Sequence, residues 1–321
     1  MPAPRGRKTT RPVSTLVFSL GLFLLVWFPG GGLWAGPVSA QRASAPQRIV
    51  SLSPAFTEIL FELGAGPRVA GITDFCIYPE AALHLPRIGG LVNPSYEKII
   101  SLKPDLIIHQ DKNARILQLT RQLGIQSLPL NMIDLGQIFS SIAKIGETLR
   151  IQPEAQKLVD RMKGEIERNR ERLAGVKRKS VLLLLGDSND PKRDLFVVGR
   201  NTYINELLEF AGGENILTAD MPQYPRISKE YIIQKSPEII IEVGPRVNIS
   251  KEELLARKNQ WETFQSIRAV QDKQIYYIAA DYLLIPGPRL VNVIQPLARV
   301  IHPDLYPGSQ PAIETIRLLD Q

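Results

Sequence analysis

The order of apolar and polar residues predicts strands and helices in alternation along most of the chain. Short apolar runs bounded by turn residues predict buried strands at 48–54 (ending in a loop), 68–73, 105–110, 127–131, 180–186, 238–243 and 274–279. Apolar residues at helical spacing predict helices at 55–63, 114–123, 203–211 and 290–301. Because strands that alternate with helices usually form parallel βαβ units, the pattern predicts the α/β fold class.

One stretch, residues 135–174, contains no strand-like run. Within it, residues 154–173 are charged and favour helix, with an apolar stripe at Ala155, Leu158, Val159, Met162 and Ile166. We predict one long helix there, about 30 Å in length from the rise per residue. The predicted architecture is an N-terminal lobe at 46–152, a connecting long helix at 153–175 and a C-terminal lobe at 178–305. Each lobe is expected to hold a mostly parallel sheet flanked by helices.

Two segments that lie 133 residues apart nearly repeat each other. Residues 95–108 and 228–241 both begin with serine and place a glutamate (Glu97, Glu230) two positions later. Both continue with an isoleucine pair, a proline, an acid and an apolar run. This order predicts a serine-capped helix with glutamate in its first turn, which proline stops before a buried strand. Because the offset has the size of a domain, it predicts two lobes of similar build.

The first forty residues have the pattern of a secretory signal peptide rather than of a folded element. Arg5, Arg7, Lys8 and Arg11 precede an apolar run of 16 residues at 13–28, and small residues end the segment at Ala40. The run is short for a membrane span of about 20 residues. We predict a signal peptide at 1–40 and a periplasmic protein; the alternative is an uncleaved membrane anchor. The residue directly after the predicted cleavage site is Gln41 and not cysteine, which disfavours a lipoprotein.

Charge and cysteine content exclude some function classes. The formal net charge of +7 falls to +3 without the four basic residues of the predicted signal peptide (7 − 4 = 3). Such a charge does not indicate a nucleic-acid partner, which requires a concentrated basic face. The single cysteine, Cys76, cannot form a disulfide within the chain and is expected to be a small buried apolar residue.

Four segments carry a resemblance to a known family: 49–58 (Ile-Val-Ser-Leu-Ser-Pro-Ala-Phe-Thr-Glu), 71–79, 93–106 and 211–215. In this order and spacing they resemble the periplasmic substrate-binding proteins of ABC importers for metal chelates. The subgroup is the one with a helical backbone, which carries cobalamin, haem or ferric siderophores, and the cobalamin-binding branch is the most similar. The resemblance implies a monomeric receptor without cofactor or catalysis, which takes a chelate to the transmembrane subunits of an ABC permease.

The resemblance also implies functional residues. In this family an acidic residue on each lobe enters an arginine pocket of the permease, and Glu97 and Glu230 match those positions. The local alternative is that a glutamate in the first turn only stabilises its own helix, by about 0.3–1 kcal/mol. The implied ligand-binding residues of the cleft are Ser53, Phe75, Leu91, Gln110, Tyr224, Asp281, Tyr282 and Arg289. Leu91 and Gln110 stand where the cobalamin-binding branch tends to have aromatic residues.

Two other readings of the sequence are weaker. Gly186-Asp187-Ser188 is similar to the nucleophile block of GDS-type esterases, but no histidine has the aspartate three positions before it that such a site needs. Three dispersed histidines also argue against a direct metal site. Haem needs only one axial ligand, for which the candidates are Tyr78, His84, His109 and Tyr282.

Overall fold

The computed structural model describes residues 44–185, 195–244, 249–279, 281–306 and 315–318. For Asp281 and for residues 315–317 the description covers the backbone only. The predicted signal peptide and the Gly186-Asp187-Ser188 motif lie outside the described residues. Among the helices described, none is both long and apolar enough to cross a membrane.

The N-terminal lobe is built on a four-stranded parallel sheet. Its strands are β1 (Ile49–Ser51), β2 (Val69–Ile72), β3 (Leu106–Gln110) and β4 (Gln126–Leu130). They lie in the order β2-β1-β3-β4. Helices α1 (Pro54–Glu62), α2 (Tyr96–Ser101), α3 (Ala114–Leu123) and α4 (Leu135–Leu149) flank the sheet. Residues 106–109 of β3 are fully buried, which is why this strand is an unbroken apolar run up to His109.

The predicted long helix is present as α5 (Gln152–Arg172), with 21 residues. All five residues of the predicted apolar stripe are buried. Pro153 lies in the first turn of α5, where its missing N–H costs no hydrogen bond. Helix α4, which the apolar pattern did not separate from its surroundings, precedes α5 and ends at Arg150 in a left-handed conformation.

The C-terminal lobe repeats this plan. Its main sheet has strands β5 (Lys179–Leu185), β7 (Gly213–Asn215), β9 (Ile239–Gly244), β10 (Ile275–Ala279) and β11 (Thr315–Arg317). The order is β11-β10-β9-β5-β7, and only β11 pairs antiparallel. A separate antiparallel pair is formed by β6 (Leu195–Phe196) and β8 (Arg226–Ile227).

The helices of this lobe are α6 (Tyr203–Phe210), α7 (Lys229–Lys235), α8 (Lys251–Glu262), α9 (Arg268–Gln271) and α10 (Ile294–Ile301). The helix predicted at 290–301 is wrong in its first part, because Pro288–Val293 forms 3₁₀ turns before α10 begins. The α/β fold class with two mostly parallel sheets and one long connecting helix is confirmed.

The sequence repeat corresponds to a structural repeat. The orders β2-β1-β3-β4 and β7-β5-β9-β10 are equivalent, and the Ser95 and Ser228 side chains cap α2 and α7 by accepting from backbone N–H groups three residues later. The acid after each proline binds the start of the first strand of its sheet. Asp105 accepts from the N–H groups of Gln47 and Arg48, and Glu238 accepts from the N–H of Ser180. We call α2 and α7 the repeat helices.

The two lobes share one hydrophobic core. The largest buried apolar cluster includes Phe56 and Ile142 of the first lobe, Met162 of α5, and Leu207 and Leu297 of the second lobe. A rearrangement of the lobes would therefore disturb close-packed side chains and not only a flexible linker. The lobe limits at 46–152 and 178–305 stay a prediction, because the core does not separate at them.

Candidate functional site

The carboxyl ends of the strands of the first lobe line a cleft together with loops of the second lobe. The order β2-β1-β3-β4 places a topological switch point beside β1 and β3, where open α/β sheets usually bind ligands. A cavity of about 390 Å³ lies at this edge. Its lining includes Gln110, Asn131, Met132, Tyr203, Tyr224 and Leu284, so both lobes contribute to it.

Hydrogen bonds of Tyr203 form the floor of the cleft, one of them between the lobes and one within the second lobe. The backbone N–H of Tyr203, at the start of α6, donates to the carbonyl of Ile133 at 2.8 Å. The Tyr203 hydroxyl donates to the carbonyl of Leu283 at 2.9 Å, and burial raises its pKa well above the ordinary value. The phenol therefore stays neutral and keeps donating at any physiological pH.

A carboxylate of α6 also holds the first lobe. Glu206 accepts a hydrogen bond from the N–H of Leu135 at 2.7 Å, at the start of α4. Burial raises the pKa of Glu206, and the neighbouring charges of Asp134 and Glu209 raise it further, while the Leu135 N–H opposes them. Asp134 caps the same helix by accepting from Gln137.

A buried ion pair between Glu58 of α1 and Arg289 also joins the two lobes. Arg289 donates from Nε and Nη2 to the two carboxylate oxygens of Glu58, at 3.0 and 2.6 Å. Only 3% of the Glu58 side chain and 18% of the Arg289 side chain are exposed. The guanidinium lies 4.1 Å from the ring centre of Tyr78 and 4.8 Å from that of Tyr282. We call the Glu58–Arg289 contact the inter-lobe ion pair; its two groups are 231 residues apart in sequence.

Three of the predicted ligand-binding residues have side chains in or beside these features. Gln110 and Tyr224 line the cleft cavity, and Arg289 belongs to the inter-lobe ion pair. Tyr282 packs on Arg289 and lines a second cavity of about 440 Å³ beside α5. The structure therefore does not bring Tyr282 into the cavity that contains Gln110.

Of the other predicted residues, Ser53, Phe75 and Leu91 lie in the first lobe. Ser53 is buried directly before α1, and its carbonyl accepts from Ser51 and Thr57. Phe75 is exposed in the loop after β2. Leu91 is half-buried and lies four residues before the first repeat copy, as Tyr224 lies four residues before the second (91 + 133 = 224). The side chain of Asp281 lies outside the described part of the chain. The role of each of these residues in binding stays a prediction.

Sequence reasoning missed several residues of the site. Phe196 stacks on Tyr224 with ring centres 6.2 Å apart, and Tyr203 closes the floor. Glu58 had one available signal in the sequence, since it is a charged residue within the apolar pattern of the helix predicted at 55–63. No local signal marks Phe196 or Tyr203, because each gains its place through contacts distant in sequence.

His109 and His302 are held within the fold. His109 Nδ1 donates to the carbonyl of Gln110 at 2.7 Å, which leaves Nε2 to accept from the Ser127 hydroxyl at 2.8 Å. Burial lowers the pKa of His109, and it also lowers that of His302, whose Nε2 donates to the carbonyl of Gly212. Within the described residues, no three His, Cys, Asp or Glu side chains converge as a metal site requires.

Glu97 and Glu230 are both exposed at the second position of a repeat helix. Local hydrogen bonds, first to its own backbone N–H and then to Ser228, lower the pKa of Glu230, so this group is charged at neutral pH. The same serine-x-glutamate start occurs at α8, with Ser250 and Glu252, outside the repeat. Capping alone therefore explains a glutamate at such a position, and Glu252 is a matched control for any further role.

Comparison with known proteins gives the family. The model of the periplasmic binding protein family matches residues 49–282, more than half of the chain. The chain therefore belongs to the periplasmic binding protein family, and the predicted family is confirmed.

The relatives are binding proteins of ABC importers and similar receptors. An uncharacterised ABC transporter substrate-binding lipoprotein of Bacillus subtilis (strain 168) is 30% identical, over 81% of this chain and 82% of the relative. The solved periplasmic vitamin B12-binding protein of Vibrio cholerae is 25% identical with a TM-score of 0.67, over 80% of this chain and 97% of that chain. A periplasmic haem-binding protein of Roseiflexus sp. RS-1, solved in apo form, is 26% identical with a TM-score of 0.66, over 81% and 99%. The predicted function as a substrate-binding component of an ABC importer is confirmed at the level of the family.

Proposed function

We propose that this protein captures a cobalamin-like corrinoid, or a metal chelate of similar build, outside the inner membrane and delivers it to an ABC permease without chemical change. The cleft cavity carries this proposal, since both lobes line it at the carboxyl ends of β3 and β4 of the first sheet. Its volume of about 390 Å³ is at the low end of the ~300–1,000 Å³ that is usual for small-molecule sites. A corrinoid would therefore be enclosed only in part, with the remainder covered by the cleft rim.

The proposed contacts are of two kinds. Flat apolar surface would come from Tyr224, which is stiffened by its stack on Phe196, and from exposed Phe75. Polar contacts would come from Gln110 and from Ser53. For Arg289 we propose an indirect contribution, because its guanidinium is already bound by Glu58 and supports the rings of Tyr78 and Tyr282. Leu91 and Asp281 complete the proposed set, and Tyr282, which lines the second cavity, contributes through its contact with Arg289.

A haem-binding receptor of the same fold is the second candidate. It is supported by the similarity to the haem-binding protein of Roseiflexus sp. RS-1 and by the exposed phenol of Tyr78 beside Arg289. The absorbance spectrum of the protein incubated with haemin separates the two candidates. An intense, shifted Soret band that is lost in Tyr78→Phe would favour haem, whereas binding of cyanocobalamin without a response to haemin would favour the corrinoid.

We further propose that Glu97 and Glu230 dock the protein on the permease through arginine side chains. Two separate carboxylates that meet arginines would fix the orientation of the receptor and steer its encounter with the membrane subunits. Ligand uptake by cells that carry Glu97→Ala with Glu230→Ala should be lost, while ligand affinity of the purified variant stays unchanged. The control, Glu252→Ala, removes a glutamate with the same local capping chemistry and should leave uptake intact. Normal uptake with the double variant would contradict the docking proposal.

A further inference from the structure

The two repeat copies share more residue identities than capping, packing and strand contacts explain. Between 95–108 and 228–241, the matched serines cap the repeat helices, and the matched prolines are buried at their ends. The matched acids bind the first strand of each sheet, as described above. Ile99 and Ile232, the first members of the isoleucine pairs, are fully buried against the sheets. Each of these identities is therefore explained by packing or hydrogen bonding within its own lobe.

One matched position, that of Ile100 and Ile233, is not explained in this way. Glu97 and Glu230 are exposed, and so are Ile100 and Ile233, the second members of the isoleucine pairs, with 44% and 38% of their surface accessible. The isoleucines follow the glutamates by three residues, so that each repeat helix presents both side chains on one face. Isoleucine is a poor choice for a solvated helix position, because its branched side chain restricts rotamers and gains nothing from exposure.

We infer that Ile100 and Ile233 are part of the permease-docking surface, each forming one apolar contact beside the carboxylate of its repeat helix. This inference rests on the proposed docking function and adds the chemistry of the partner. The partner is a pair of membrane subunits that present the same surface twice, each surface having an arginine next to an apolar socket. A twofold symmetric pair offers identical surfaces, which fits the occurrence of the same glutamate–isoleucine pair on both lobes. The arginine would bind the carboxylate and fix the orientation of the receptor. The apolar socket would bury the isoleucine and give affinity that does not depend on salt.

The chain contains a matched control outside the repeat. Helix α8 starts with Ser250 and Glu252, and Leu255 follows Glu252 by three residues and is 50% exposed. Its local geometry is that of the repeat helices, but it has no counterpart on the other lobe. If exposed apolar residues at this helix position only reflect local structure, Leu255 and the two isoleucines will behave alike.

The test is the affinity of the purified protein for the ABC permease of the same organism, reconstituted in lipid nanodiscs, at low and at high salt. Ile100→Ser with Ile233→Ser should weaken binding by about tenfold or more at both salt concentrations. Glu97→Ala with Glu230→Ala should weaken binding mainly at low salt and reduce its salt dependence. Leu255→Ser and Glu252→Ala should bind as the unchanged protein does. Every variant should keep a single cooperative thermal transition, because the serine caps and the buried Ile99 and Ile232 are unchanged.

The outcomes separate the inference from the proposed function. If the isoleucine variant binds within twofold of Leu255→Ser while the glutamate variant is weakened, the inference is wrong and the carboxylate docking stands. If the glutamate variant also binds like Glu252→Ala, the docking proposal and the inference fail together. Restoration of affinity by Ile100→Leu with Ile233→Leu would show that the contact requires apolar bulk.

Discussion

Removal of one partner from the inter-lobe ion pair should destabilise this protein more than removal of one partner from an exposed ion pair. Arg289→Ala leaves the Glu58 carboxylate, which is 3% exposed, without its guanidinium. Loss of one partner from a buried pair typically costs about 3–5 kcal/mol, because the remaining charge is poorly solvated. Since 18% of Arg289 is exposed and water reaches the pair from that side, we expect the lower end, about 3 kcal/mol. For a chain of this size that loss lowers the melting temperature by about 6–12 °C.

Scanning calorimetry and urea unfolding of four proteins test this expectation. They are the unchanged protein, Arg289→Ala, Glu58→Ala and the double variant. The double variant should be less destabilised than the sum of the single changes, since no unpaired buried charge remains in it. Arg161→Ala is the matched control, because Arg161 pairs with Glu62 of the same helix α1 but both side chains are exposed. That change should cost no more than about 1 kcal/mol.

Two results would refute the reasoning. An Arg289→Ala variant as stable as Arg161→Ala would mean that burial of the pair has no energetic consequence. Strictly additive single changes would mean that Glu58 and Arg289 do not interact in solution.

Two further predictions concern the same fold. Burial lowers the pKa of His109 and His302 below the ordinary value of about 6.5, so the unfolded chain binds more protons than the folded one and stability falls as the pH drops below that value. The melting temperature should therefore decrease from pH 7.5 to pH 5, and it should decrease less in His109→Gln. The raised pKa of Glu206 acts in the opposite direction, because this group favours the folded state as the pH falls. If the melting temperature of His109→Gln falls with pH as steeply as that of the unchanged protein, His109 is not the cause. A methyl group on Gly287 would lie 2.7 Å from Oε2 of Glu58, so Gly287→Ala should lower the free energy of unfolding by about 1–3 kcal/mol. Gly164→Ala, in the interior of α5, should raise it by about 0.5–1 kcal/mol. Equal unfolding midpoints of the two variants would contradict this.

The repeat was readable in the sequence because its residues do the same local work in both lobes. Serine caps, proline stops and buried isoleucines each act within a few residues of their position, so the sequence pattern and the structure agree there. The long helix α5 was predictable for the same reason, since its apolar stripe has the period of a helix.

Helix α8 was missed because its buried face is not apolar throughout. That face includes Arg257, which pairs with Glu242 of β9, and Trp261, which donates to Glu242 at 2.6 Å. A buried charge at a core position interrupts the apolar period on which the prediction relies. This ion pair is visible only when β9 and α8 are brought together.

The inter-lobe contacts of the cleft could not be predicted for a related reason. Glu58 and Arg289 are 231 residues apart, and Leu135 and Glu206 are 71 apart. No local pattern indicates which distant residue satisfies a buried carboxylate. The family resemblance could therefore indicate a cleft between the lobes, but it could not indicate the hydrogen bonds that close the floor of the cleft.

The central claim, that a bulky chelate binds between the lobes, is tested most directly by isothermal titration of the protein with cyanocobalamin, haemin and a ferric siderophore. We predict one site per chain for one of these chelates. Tyr224→Ala should weaken its affinity by about tenfold, because a stacked aromatic surface is lost, while Leu305→Ala, an exposed apolar residue away from the cavity lining, should have no effect. Absence of binding for all three chelates, or equal affinities of the two variants, would contradict the account.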